Sequence, residues 1–578
     1  MGIAINGAQV LIRMLQEYKV EVIFGVPGDT SLPLYEALYD AGRGIRHVMA
    51  RDERSASVMA DAYARFSYRP GVCECPSGAG AIFSMPGVAE AFDATRACII
   101  ITSDTPLTDE GRNVLTELDC KKLYEPITKK SFLLKQVNKI PETVRRAFRI
   151  ATSGAPGSVH LAIPEEVMTG VFTSHKKNIY SEPECMSYPS YRLRPSRKIL
   201  EKLVELLLTA ERPVIVSGGG AIQSQAGHGI LALARWLGCP VVTTMSGQGI
   251  ILDNHPLSMG VIGDNGFHPH ALRAVEEGDV LLYVGCKMGS VSTMHWTFPS
   301  FKPDRKIIQL DVDPEKLSNV YHNTLNVAGD AALVLDEVFE LIKNRGQART
   351  SEAWVESINR DRARFWKESE VLLSSEAVPI RGARVVSSIN RRLDSETVVI
   401  ADAGTPTPYV TRFLVLKEMG SEIHIPRSYG GLGYTIPALV GAYFARPKAR
   451  LIGLFGDGSL GMSAGDLETL VRYRIPAILI HFNNGSFGWI KALQLFRSKG
   501  KYLSVDFTPG DPASVAEGFG LKVLRIRAPE ELEKALDLSF ENNGPIFLDV
   551  QTEPPFKDIP PVYSWLNASQ KIRDDKAT

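Results

Sequence analysis

The sequence predicts an α/β protein built from three doubly wound parallel-sheet domains, and three observations carry that reading. Short apolar runs, many rich in Val and Ile, alternate with longer amphipathic stretches. Runs of this length, separated by helix-length segments, are the pattern of buried parallel strands in βαβ units. Many end in Gly, Asp, Asn or Ser, which suits strand-to-helix turns where ligands bind. Two linker-like segments cut the 578 residues into three blocks of roughly 170, 150 and 180 residues, an ordinary domain size.

The first block, 1–172, contains the runs Val22–Phe24 and Ala97–Thr102. The first linker, about 172–196, carries Ser174-His175-Lys176-Lys177 with Pro183, Pro189 and Pro195. The central block, 190–345, contains Val214–Val216, Val280–Val284 and Ile307–Val312. The second linker, about 343–380, reads as helical but highly charged through Arg360-Asp361-Arg362. The third block, 375–560, contains Thr397–Ala401, Leu451–Phe455, Ala477–Phe482 and Ile546–Val550. The remainder, 561–578, is a tail whose polar end, Lys571–Thr578, reads as frayed. The first and third blocks each carry a glycine-rich turn before an amphipathic helix, too little to establish a duplication.

Composition narrows the function. Hydrophobic residues are 44% and charged residues 22% of the chain, as in folded globular proteins. Sixty-five basic residues balance 65 acidic ones, which argues against a nucleic-acid partner. The seven cysteines, at 73, 75, 98, 120, 185, 239 and 286, form neither a disulfide framework nor a zinc site and fit a reducing cytoplasm. Met1-Gly2-Ile3-Ala4 does not open a signal peptide. No apolar run is long enough for a membrane span.

The most informative stretch is Leu454-Phe455-Gly456-Asp457-Gly458-Ser459, an apolar strand broken by Gly-Asp-Gly. A helix-like segment, Ala464–Tyr473, follows, then a second strand ending in Asn483-Asn484. The 24 residues between Gly458 and Asn483 allow one crossover helix, so the two strand ends are neighbours at one sheet edge. Asp457 and the amide oxygen of Asn484 are hard oxygen donors suited to Mg²⁺. The glycines and the helix N-terminus suit phosphate oxygens.

Gly-Asp-Gly followed at this spacing by Asn-Asn resembles the signature of thiamine diphosphate (ThDP) enzymes. Across nearly the whole chain the resemblance is to the acetolactate synthase and 2-oxoacid decarboxylase group. It implies a pyrimidine-binding domain, a central Rossmann-like domain and a diphosphate-binding domain, in that order. It also implies a metal held by Asp457, Asn484 and the backbone carbonyl of Ser486, with Gly456, Gly458, Ser459 and Phe487 around the diphosphate.

Glu53, in Arg51-Asp52-Glu53-Arg54 at a helix start, matches the family's catalytic glutamate. Ala60-Asp61-Ala62-Tyr63-Ala64-Arg65 resembles the Ala-Asp-Gly-Tyr-Ala-Arg that follows it. The implied role is a hydrogen bond to the pyrimidine ring nitrogen. Gly25-Val26-Pro27-Gly28-Asp29 resembles the pyrimidine-side turn, and Ala401-Asp402-Ala403-Gly404-Thr405 a diphosphate contact. Tyr429-Gly430-Gly431-Leu432-Gly433-Tyr434 resembles the segment that bends the cofactor into a V, with Leu432 as wedge and the Gly430 carbonyl on the aminopyrimidine.

The branch is set by departures. Asp29 matches an acid of the simple pyruvate decarboxylases, but their His-His pair is absent from Asn113–Leu118 and their later glutamate corresponds to Ile490. Acetolactate synthases place a glutamine at Thr116 and a large aromatic near Leu493, both absent here. Glu117-Leu118-Asp119 and Pro126-Ile127-Thr128-Lys129 resemble acetolactate synthase, oxalyl-CoA decarboxylase and 2-hydroxyacyl-CoA lyase. Phe487, Trp489, Leu493 and Thr116 are candidates for the substrate pocket, with plain core as the alternative. The central block, with Gly218-Gly219-Gly220 and Asp311-Val312-Asp313, resembles a domain that binds FAD or ADP in relatives. The expected arginine stretch is replaced by Cys286-Lys287-Met288-Gly289, leaving a purely structural domain as the other reading.

The expected activity is therefore Mg²⁺- and ThDP-dependent carboligation of a 2-oxoacid, with decarboxylation or acyl-CoA lyase chemistry as alternatives. The resemblance implies a homodimer or homotetramer. A flavin or nicotinamide oxidoreductase is disfavoured: no strand is followed by Gly-x-Gly-x-x-Gly with an acidic partner about 20 residues on. Intact Glu53, Asp457 and Asn484 count against a non-catalytic regulatory subunit.

Overall fold

A computed structural model describes residues 5–348 and 352–577; Met1–Ala4, read above for a signal peptide, and Thr578 lie outside them. Three six-stranded sheets form. The first contains β1 Val22–Gly25, β2 Arg46–Met49, β3 Gly71–Pro76, β4 Cys98–Asp104, β5 Lys130–Leu133 and β6 Ser158–Pro164. Its order is β2-β1-β3-β4-β6-β5. The second contains β7 Pro213–Ser217, β8 Val241–Thr243, β9 Ser258–Val261, β10 Val280–Val284, β11 Lys306–Asp311 and β12 Leu325–Ala328, ordered β12-β11-β10-β7-β8-β9. The third contains β13 Thr397–Ala401, β14 Glu422–His424, β15 Arg450–Gly456, β16 Ala477–Asn483, β17 Lys522–Ile526 and β18 Ile546–Gln551, ordered β14-β13-β15-β16-β18-β17.

The apolar runs read from the sequence fall on the central strands, because only strands covered on both faces become continuous apolar runs. β4 and β6 are buried at every position. Short edge strands such as β2, with exposed Arg46 and Met49, escape that pattern. The first and third sheets share one strand order, while the central sheet has another. In the shared order the chain reverses direction across the sheet between its first and third strands, so crevices open at the carboxyl ends of β1 and β3, and of β13 and β15.

The chain forms two compact units that cut across the three sequence blocks. One comprises residues up to Tyr191 together with Pro426–Leu451 and Met462–Ala477; the other comprises Arg192–Ile425, Ile452–Gly461 and Ile478 onward. In the first unit, the helix Thr435–Ala445 packs so closely on the helix Glu53–Ser67 that a Cβ on Gly441 would come within 2.1 Å of the Met59 carbonyl. Both helices are lined with small residues at the contact, which permits that approach.

Neither linker is a free tether. In the first, Tyr188 is buried and its hydroxyl donates to the Ala64 carbonyl at 2.6 Å. In the second, Glu352–Leu373 is a helix whose Ile358 and Phe365 are buried. Its Arg362 donates to the carbonyls of Asp253, His255 and Ser258 at 3.0, 3.0 and 2.9 Å. The charged face of this helix is thus used for docking in the second unit. The tail is helical over Tyr563–Ala577, and Asp264 accepts from the Ser564 backbone at 2.9 Å at its start.

Candidate active site

In the first unit, Glu53 opens its helix because Asp52 adopts an extended backbone and caps the Arg54 N–H at 2.7 Å. The Glu53 carboxyl is half-buried. That burial is the main force raising its pKa, with the nearby charges of Asp52 and Glu74 adding to it. A Cβ on Gly80 would come within 3.0 Å of Glu53 Oε1 and 2.7 Å of the Pro76 ring, so Glu53 lies against the turn Pro76–Gly80. A Cβ on Gly28 would meet Pro76 at 2.6 Å. The Pro27–Asp29 turn after β1 and the turn after β3 therefore pack together at the crevice that the strand order opens. Pro27 and Asp29 are exposed there.

Thr116 joins this group. It overlies Gly78, and Ser77 Oγ donates to its Oγ1 at 2.9 Å. The backbone N–H of Arg51 donates to Asp466 Oδ1 at 3.1 Å, and Arg54 donates to the Met462 carbonyl at 2.6 Å. These bonds hold the residues on either side of Glu53. Glu74, which the sequence reading passed over, is fully buried in β3 and accepts from the Tyr35 hydroxyl. Gly25 makes room for it: a Cβ there would meet Glu74 Oε1 at 2.3 Å.

The turn Tyr429–Gly433 lies in the same unit. Gly430 and Gly433 have φ of 66° and 83°, left-handed conformations that favour glycine. Tyr429, Gly430 and Gly431 are exposed, Leu432 is half-buried, and nothing stands within 4 Å of where a Cβ on Gly430 or Gly431 would be. The turn thus offers open backbone and one apolar side chain.

In the second unit, the Asn484 N–H donates to Asp457 Oδ2 at 3.1 Å. The Asn484 amide oxygen accepts from Ser486 Oγ at 2.7 Å and, having two lone pairs, keeps acceptor capacity. The helix after β15 begins at Asp457 itself, running to Ser463, and not at Ala464 as the sequence suggested. Gly458 and the buried Ser459 therefore occupy its first turn. A Cβ on Gly456 would meet only the Phe482 carbonyl, at 3.9 Å. Gly404, with φ of 117°, and Thr405 end the loop after β13. A Cβ on Gly488 would lie 2.8 Å from Thr405 Oγ1, which brings the 404–405 and 484–488 loops together. Phe487 packs on Phe507, ring centroids 4.7 Å apart.

His481 and Asp549, which no sequence motif marked, support Asp457 from below. His481 is fully buried, with Nδ1 3.0 Å from Asp549 Oδ1 and Nε2 3.5 Å from Asp457 Oδ1. Burial pushes the imidazole pKa down, but the two carboxylates outweigh it and the net shift is upward. Only the fold could reveal this pair, since β16 and β18 become neighbours through pairing of His481 with Asp549.

A hard oxygen donor set of one carboxylate, one amide and one backbone carbonyl fits Mg²⁺ shared with a diphosphate. Among the described residues, no group of three or more His, Cys, Asp or Glu side chains could hold a metal by itself. No described helix is long and apolar enough to cross a membrane.

Trp489 and Leu493, the pocket candidates, pack against the C-terminal segment: the Trp489 and Trp565 rings are 4.4 Å apart, and Leu493 joins the same cluster. In the central sheet the loops after β7 and β10 bond to each other, Gly220 N–H donating to the Gly285 carbonyl at 2.9 Å. A Cβ on Gly218 would meet that carbonyl at 2.3 Å.

Three family profiles match in order: the thiamine pyrophosphate enzyme N-terminal TPP-binding domain over residues 5–123, the central domain over 200–338 and the C-terminal TPP-binding domain over 402–550. The chain is 32% identical to a probable acetolactate synthase large subunit of Methanocaldococcus jannaschii, covering 98% of this chain and 96% of that one. It is 31% identical to a protein of the same description from Methanococcus aeolicus, covering 95% and 92%. It is 28% identical to the acetolactate synthase large subunit of Haemophilus influenzae, covering 95% of each. With all three domain profiles present in order, the chain belongs to the thiamine pyrophosphate enzymes and is a ThDP-dependent, acetolactate synthase-like enzyme.

Proposed function

We propose that the protein is a Mg²⁺- and ThDP-dependent carboligase that joins a 2-oxoacid-derived unit to a second carbonyl compound. The observation that supports this most is the Asp457–Asn484 pairing, within a chain whose relatives named acetolactate synthase match it end to end. Asp457, Asn484 and the Ser486 carbonyl hold the metal, and the backbone at Gly404–Thr405 and Gly456–Ser459 takes the diphosphate. The Gly430 carbonyl and Leu432 orient the pyrimidine. When bound, ThDP supplies an electron sink for the carbanion left at the substrate carbonyl carbon.

Glu53 holds and exchanges a proton at the pyrimidine ring nitrogen. Its raised pKa suits that task, because a carboxyl that is too acidic would not keep the proton. Thr116, at the turn beside Glu53, and the exposed Asp29 are placed to meet substrate. Trp489 and Leu493 serve the packing of the tail. The central domain serves as structure, its loops after β7 and β10 bonding to each other. A homodimer accords with the exposure of Ile82 and Phe83, 48% and 54%, on the helix Ala79–Asp93.

The test is incubation of purified protein with a panel of 2-oxoacids, with and without an aldehyde acceptor, and product identification by NMR. An acetoin- or acetolactate-type product supports carboligation. Free aldehyde alone would replace this reading with decarboxylation. Flavin absorbance released on denaturation would overturn the structural reading of the central domain.

A further inference from the structure

Glu90 lies on the helix Ala79–Asp93 and is 5% exposed. Its carboxylate accepts three consecutive backbone N–H groups: Arg427 and Ser428 on Oε1 at 2.9 and 3.1 Å, and Tyr429 on Oε2 at 3.2 Å. No helix or strand explains that geometry, because 427–429 belongs to neither. At the other end of the same turn, the Tyr434 hydroxyl donates to Asp61 Oδ2 at 2.5 Å. Asp61 is fully buried in the helix that begins with Glu53. The turn Tyr429–Gly433 is thus fastened at one end to the helix Ala79–Asp93 and at the other to the helix Glu53–Ser67.

We infer that Glu90 is a positioning residue for the pyrimidine ring of the cofactor: by gripping 427–429 it fixes the Gly430 carbonyl and Leu432 before the cofactor binds. The inference rests on the ThDP reading above. Its physical reason is the turn's own composition. Three glycines in the five residues Tyr429–Gly433 give the free turn a large conformational entropy, and a ligand that had to order it would bind more weakly. One carboxylate collecting three N–H donors supplies charge-assisted bonds that order it beforehand. At the turn's other end, Arg65 and Arg96 act electrostatically on Asp61 and favour its charged form.

The experiment uses the full-length protein without cofactor and then with ThDP and Mg²⁺. In Glu90→Gln, amide hydrogen exchange in the 427–429 segment is expected to quicken at least ~10-fold in the cofactor-free protein, and the Kd for ThDP by calorimetry to rise about 10-fold. The KM for substrate is expected to stay within about 2-fold, since the substrate does not touch the clamp. Tyr434→Phe, which releases the other end, gives a second reading should Glu90→Gln fail to fold: faster exchange at 433–434 and the same weakening of ThDP. Unchanged ThDP affinity with a loosened turn would overturn the positioning role, and unchanged exchange would overturn the clamp itself. Absence of ThDP binding by the unaltered protein would instead refute the cofactor reading.

Discussion

The Asn484 backbone N–H donates to Asp457 Oδ2 at 3.1 Å across 27 positions of sequence. A broken crossover helix and the strand β16 separate the two residues, and the neighbouring places of β15 and β16 in the sheet bring their ends together. Asp457 Oδ1 faces His481 Nε2 at 3.5 Å, and the Asn484 amide oxygen accepts from Ser486 Oγ at 2.7 Å.

Asp457→Ala is accordingly expected to weaken Mg²⁺-dependent ThDP binding by more than about 100-fold, because a ligand should matter more than its supporting shell. Isothermal titration with and without Mg²⁺ measures it. Normal affinity in the variant would remove Asp457 from the site.

His481→Phe keeps the ring volume and deletes both polar contacts behind Asp457. Loss of such a supporting partner typically costs 10- to 100-fold in metal affinity, so a rise of about that size in the Mg²⁺ requirement is expected. An unaltered Mg²⁺ titration with intact fold would reduce His481 to packing.

Glu53→Gln is expected to lower kcat by about 10²- to 10⁴-fold, the usual worth of a positioned proton donor or acceptor. ThDP affinity should change only a few-fold, which separates chemistry from binding. Equal kcat in the two proteins would be decisive against the assignment.

Asp61 gives a pH prediction with a definite sign. Burial is the main cause that lifts its pKa from 3.8 to about 6, and Arg65 and the Tyr434 hydroxyl oppose the lift. The folded state then holds this proton more tightly than the unfolded chain. The contribution is fully present below the unfolded value and is lost as pH rises through about 6. Relative to Asp61→Asn, the wild-type protein should therefore lose stability between about pH 4 and pH 6, by an amount on the order of 3 kcal/mol. Melting temperatures of both proteins across that range check it; parallel curves would mean that Asp61 does not titrate there.

Trp565→Ala removes the ring that packs, tilted by 48°, against Trp489. Truncating a buried Trp costs about 3–5 kcal/mol locally, enough to free the terminal helix. Faster proteolysis near residue 563 is expected, while ThDP binding persists. A cleavage rate equal to wild type would show that the tail is held by other contacts such as Asp264.

Much of this was legible in the residues themselves. β10 and β13 coincide with the runs Val280–Val284 and Thr397–Ala401, because a strand buried on both faces must be apolar throughout. The Gly-Asp-Gly to Asn-Asn spacing puts Asp457 and Asn484 just after neighbouring strands, and Glu53 at a helix start, as the structure has them; their roles came from the resemblance of these motifs to the ThDP enzymes. The helix at Asp457 was placed too late because Gly458 and Gly461 mask its start; glycines argue for a turn until the surrounding contacts are known.

The sequence by itself determined three α/β blocks and the residue types able to bind a metal diphosphate. Tertiary structure alone decided that the first and third sheets share one strand order, that His481 meets Asp549, that the charged second linker is a docked helix, and that Trp489 lies against Trp565. It also decided that Glu90 holds the 427–429 backbone. The physical reason is the same each time. Strand order and side-chain partnership depend on contacts between residues tens to hundreds of positions apart, whereas periodicity and spacing report only on the few turns of chain around each residue.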